Sequence, residues 1–159
     1  MAEILNRQRK MTVKLRELEV FAKRVERTLR LGRGAFAVCL VSDGEIARMN
    51  RRYRRKHGPT DVLSFPVDGV GARGLRSAAG GARNFAGPRP GSTSGFLGDI
   101  AIAPETARRN AKRYGRTLAE ELRILILHGA LHLMGYDHEI DGGQMERREA
   151  RLRRQLGIV

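Results

Sequence analysis

The stretch from Leu118 to about Met134 constrains the fold more than any other part of this chain. Thr117 and Glu120 form a T-x-x-E capping box, which satisfies the unpaired N–H groups that open a helix. Gly135 stands where a left-handed residue would close it. Between these signals, Ile124, Leu125, Ile126, Leu127, Leu131, Leu133 and Met134 leave little polar surface. A helix so apolar is expected to be buried, with other elements packed around it. His128 and His132, four residues apart, share one face of that helix. Neither can be buried without a polar partner.

A single ion satisfies both. Gly135 breaks the helix three residues after His132, so the chain can double back and bring His138 to the same centre. Three imidazoles make a borderline-soft nitrogen set suited to Zn2+, with other divalent transition metals compatible. Three protein ligands on a tetrahedral ion leave one position open, as in catalytic rather than structural sites. The competing account, two histidines satisfied by ordinary neighbours, explains neither the glycine break nor the third histidine. The same H-x-x-x-H-x-x-G-x-x-H spacing belongs to the metzincin proteases. Their second position is the glutamate that serves as general base; here it is Gly129. A zinc metalloprotease is therefore a minor alternative, requiring Asp137 or Glu139 to replace that base from another direction.

Elsewhere the patterns are shorter. Leu15, Leu18, Ala22, Val25 and Leu29 recur at helical steps over residues 13–31. The apolar run 35–42 predicts a buried strand, and Ser42 or Asp43 would cap a helix carrying Ile46, Ala47 and Met49. Residues 61–65 predict a second strand stopped by Pro66, and 96–102 a third. Pro104 opens a helix that Gly115 closes, and Asp141 opens a last one, with Met145, Leu152 and Leu156 facing inward. The expectation is a single α/β (α+β) domain over residues 1–159, of metallo-hydrolase type. It has a small mixed sheet packed by helices and a metal site at the end of the long buried helix. Residues 69–95 hold eight glycines, four arginines and no acid, which predicts a flexible insertion.

Composition bears on partner and compartment. Thirty-one Lys+Arg against seventeen Asp+Glu give a net charge of +14, which favours a polyanionic partner without choosing among polyanions. No window is apolar enough to span a membrane, and the opening residues lack the apolar run of a secretory signal. Cys39 has no second cysteine to pair with, and in AFAVCLV it reads as a buried hydrophobe rather than a reactive thiol. The expected location is the cytoplasm.

Three blocks resemble a known family. HGALHLMGYDH (128–138) matches the signature H-G-x-L-H-L-x-G-Y-D-H of the YbeY rRNA maturation factors. Met49-Asn50-Arg51-Arg52-Tyr53-Arg54 with Gly58–Pro66, and then Leu97-Gly98-Asp99-Ile100, are similar to its other blocks in family order. The resemblance covers roughly residues 15–157. It implies a metal-dependent endoribonuclease specific for single-stranded RNA, acting in 16S rRNA 3′-end maturation and late ribosome quality control. Its partners would be ribosomal RNA and the ribosome or small-subunit proteins. It also implies a small, mostly antiparallel-edged sheet, metal ligation by His128, His132 and His138, and a functional role for Arg54. The glycine-rich 69–95 stretch departs from the family's shorter connection.

A guanidinium offers paired donors to a phosphate gaining charge. Residues alone do not separate Arg54 from its basic neighbours. Among these, Arg51, Arg55 and Lys56 are read as phosphate-positioning contacts. His57 reads as solvent-exposed. Asp137 either orients a ligand or faces water, and Asp99 reads as a partner of backbone. A non-catalytic RNA- or ribosome-binding assembly factor with a structural metal is the alternative from a different class.

Overall fold

The computed structural model describes residues 3–67, 96–136 and 142–158. The glycine-rich stretch expected to be a flexible insertion, and the residues Asp137, His138, Glu139 and Asp141, lie outside that range. The order is β1 (Glu3–Asn6), α1 (Leu15–Thr28), β2 (Phe36–Leu40), α2 (Asp43–Arg54), β3 (Val62–Pro66), β4 (Gly98–Ile102), α3 (Pro104–Arg113), α4 (Leu118–Leu133) and α5 (Gln144–Leu156). The four strands form one mixed sheet in the order β1-β2-β4-β3. β1, β2 and β4 are parallel, and β3 runs antiparallel to β4 with Ser64 opposite Ile100. This is the expected α+β architecture with two differences. Among the described residues there are four strands rather than three, and only the β3 edge is antiparallel, since β1 closes the other edge in parallel.

β1 escaped the sequence reading because its alternation is nearly silent: Ile4 is its one buried residue. Backbone pairing with β2, and not side-chain pattern, makes it a strand. The predicted caps hold. Ser42 Oγ accepts from the Glu45 N–H at 3.1 Å, and Thr117 Oγ1 accepts from the Glu120 N–H at 3.1 Å. Pro104 opens α3.

Side chains alternate across the pleat, so the sheet has two unlike faces. Phe36, Val38, Leu40, Ile100 and Ile102 meet apolar residues of α1, α4 and α5 in the main core. Cys39, Leu63, Phe65 and Ala101 meet Ile46, Met49 and Tyr53 of α2 on the other face. Burial pushes the Cys39 thiol up to about 12, so it is uncharged at neutral pH and behaves as the expected small hydrophobe. No helix among the described residues is long and apolar enough to cross a membrane.

Gly98 fixes how β3 and α4 close on β4. Its φ is 147°, and a Cβ there would stand 2.2 Å from the Phe65 carbonyl oxygen and 2.9 Å from Pro66 Cα. Both obstacles are backbone and cannot swing aside. Gly98→Ala is expected to cost about 3 kcal/mol or more. A thermal melt should show the midpoint falling by roughly 6–12 °C in a domain of this size.

Candidate functional site

α4 is the long apolar helix expected from Leu118 onward, and it ends where Gly135 adopts φ 98°. The Tyr136 N–H returns to the Leu131 carbonyl at 3.1 Å, the closing bond of a Schellman turn. Ten of its sixteen residues are buried, so its few polar side chains must find partners along one stripe. His128 and His132 occupy that stripe. Their Nε2 atoms face each other at 3.0 Å, with ring centroids 4.6 Å apart.

Glu149 of α5 completes this arrangement, and the sequence reading did not find it. Its Oε1 lies 2.6 Å from His128 Nδ1, and its Oε2 lies 2.5 Å from Arg153 Nη2. Burial pushes the Glu149 carboxyl up, but the bond and charge of His128, with the Arg153 guanidinium, more than offset this and hold it below the usual 4.5. An ionised carboxylate only accepts, so the bond places a proton on His128 Nδ1. The far nitrogen of the ring, Nε2, is thereby turned toward His132. A carboxylate behind one imidazole, with the far nitrogens converging, is a donor set that fits a zinc-class ion. His138, the third expected ligand, lies outside the described residues.

Gly129 has a packing reason to be small. A Cβ there would come within 2.7 Å of Ile100 Cγ2 and 3.0 Å of Ile100 Cδ1. Its carbonyl also accepts from Ser64 Oγ at 3.2 Å. Position 129 therefore faces β4 rather than the histidine stripe, and a glutamate placed there would collide with the sheet.

Arg54 is exposed on the last turn of α2, among the equally exposed Arg51, Arg52, Arg55, Lys56 and His57. Tyr53 packs edge-on against Phe65 at 5.5 Å, and Phe65 pairs with Asp99 at the same end of β4 that α4 covers through Ile100 and Leu133. The helix that carries Arg54 and the helix that carries the histidine pair therefore pack on opposite faces of the sheet. The contacts among the described residues do not bring Arg54 and the histidine pair together. Arg55, at φ 55°, ends α2, and Asn50 Nδ2 donates to the Gly58 carbonyl at 3.0 Å. These two features pin the basic turn.

Asp99 differs from its expected role as a backbone partner. It is 5% exposed, and its Oδ1 has no hydrogen-bond partner among the described residues. Burial first, then the charge of Glu3, pushes its carboxyl up to about 7. A raised carboxyl costs stability once ionised, and that cost is absent below the unfolded value of 3.8 and fully present above about 7. Asp99→Asn should therefore match the parent near pH 4 and become progressively more stable than it up to pH 7. Urea midpoints at the two pH values measure this; an equal offset at both would contradict it.

Fold and histidine pair together define the class: an α+β domain with a carboxylate-backed pair of imidazoles on a buried helix. The family model described as Endoribonuclease YbeY matches residues 3–157. Curated relatives named Endoribonuclease YbeY include one from Solibacter usitatus, 37% identical over 92% of this chain and 82% of its own. Another, from Aquifex aeolicus, is 35% identical over 91% of this chain and 83% of its own. The solution structure of TM1509 from Thermotoga maritima superposes with a TM-score of 0.61 at 25% identity, covering 98% of this chain and 89% of that one. The chain belongs to the endoribonuclease YbeY family.

Proposed function

We propose that this chain is a metal-dependent endoribonuclease that cuts single-stranded RNA at the centre formed by His128, His132 and His138. The observation that carries this reading is the convergence of two Nε2 atoms at 3.0 Å with Glu149 locking one ring from behind. When bound, a zinc-class ion supplies Lewis acidity for phosphodiester hydrolysis. The protein's part is positional. Glu149 and Arg153 hold the His128 ring, and the Gly135 turn ends the helix three residues past His132. The exposed cations Arg51, Arg55 and Lys56 attract and orient phosphates. Arg54 is assigned the charge that develops on the phosphate being cut.

The reading extends to 16S rRNA 3′-end maturation and late ribosome quality control in the cytoplasm, with the ribosome or small-subunit proteins as partners. Family membership and the +14 charge support it. Purified protein given a single-stranded RNA should cut it internally, stop in the presence of a chelator, and resume on adding Zn2+ or another divalent transition metal. RNA that is bound but never cut, under any of these metals, would favour the non-catalytic assembly factor. Arg54→Ala should lower cleavage about 10²- to 10³-fold, the cost of removing one preorganised charge donor, with metal content unchanged by elemental analysis.

A further inference from the structure

Away from the histidines, α3 ends in a dense cationic turn. Arg108, Lys112 and Arg113 are exposed, and none has a carboxylate within ion-pair distance among the described residues. Beside them Tyr114 is 61% exposed, the most open large hydrophobic residue described. The Arg116 guanidinium lies over its ring, 5.2 Å from the centroid, and is itself held by Glu121 Oε1 at 3.0 Å.

The helix end does not need that ring. Gly115 takes the left-handed conformation at φ 68°. The Arg116 N–H reaches the Ala111 carbonyl at 2.8 Å, and the Gly115 N–H reaches that of Lys112 at 3.3 Å. These two bonds form a complete Schellman stop made by backbone alone. Cations near a helix C-terminus are accounted for by its dipole, but an aromatic ring held in solvent by a clamped guanidinium is not. An aromatic face among unpaired cations is how proteins seat single-stranded nucleic acid: the ring stacks a base while the cations follow the phosphates.

We propose that Tyr114, with Arg108, Lys112, Arg113 and Arg116, forms a second contact site for single-stranded RNA. This inference rests on the endoribonuclease reading. Arg116 bonds Glu121 in the first turn of α4, and the histidines stand eleven and fifteen residues beyond Thr117. That separation is about 16–22 Å along the helix at 1.5 Å per residue. At the stacked spacing of 3.4 Å per nucleotide, an RNA must be about five to seven nucleotides long to touch both places.

The test compares cleavage of an oligonucleotide of about four residues with one of about a dozen, using the full-length metal-loaded protein. Tyr114→Ala should raise the apparent KM for the longer RNA roughly 5- to 100-fold, the range of one lost base stack, with kcat little changed. The shorter RNA should be cut as by the parent, and Tyr114→Phe should restore the longer one. If Tyr114→Ala treats both lengths alike, whether unchanged or equally impaired, the second site is wrong although the nuclease stands. If the parent cuts neither length under any metal, the endoribonuclease reading fails, and the second site is then decided by binding alone. Fluorescence anisotropy then shows whether Tyr114 binds RNA at all, and equal affinity of parent and Tyr114→Ala would end the proposal.

Discussion

His128→Ala is expected to yield a folded protein that no longer retains its metal and cuts RNA about 10³-fold more slowly or worse. The size follows from losing several kcal/mol of charge stabilisation at the phosphate. The fold should survive because the His128 side chain is 27% exposed, with Glu149 and His132 beside it. Its removal takes that donor from Glu149 Oε1, while Oε2 keeps Arg153 within the same helix. Circular dichroism, elemental analysis and an RNA cleavage assay on the same preparation check the three parts together. Undiminished cleavage by a variant free of metal would overturn the metal-centred reading outright.

Changing Glu149 should weaken metal binding without touching a ligand. In Glu149→Ala the His128 Nδ1 proton loses its acceptor, the ring is free to change tautomer, and its basicity drops. A loss near 100-fold in metal affinity is expected, at the upper end for a group hydrogen-bonded behind a ligand. Glu149→Gln keeps an oxygen that can accept from Nδ1 but removes the charge, so a loss nearer 10-fold is expected. Competition against a chromophoric chelator measures both. Affinities equal to the parent in both variants would mean that the 2.6 Å contact is merely structural.

How much was legible beforehand depended on how local the deciding interaction was. The histidine pair lies on one helix face by its four-residue spacing, and its helix is bounded by a cap and a glycine within a few residues. Such signals survive in one dimension. Glu149 was not legible, since it reaches His128 from a helix twenty-one residues later and resembles any solvated acid among the charges of α5. β1 was missed for a related reason: its identity comes from hydrogen bonds to β2, while only Ile4 buries a side chain. At Gly129 the sequence shows only that no carboxylate stands between the histidines. That the position faces Ile100, where no side chain fits, could be known only once β4 was placed beneath α4.

The apolar helix and its two histidines on one stripe were therefore determined by sequence alone, because helical spacing and capping act between residues close in the chain. What the tertiary structure decided was the company that stripe keeps. It set the carboxylate that orients one ring, put the sheet against Gly129, and packed α2 and α4 on opposite faces of the sheet. Those relations are set by which faces pack together, and packing joins residues whose order along the chain carries no record of their contact.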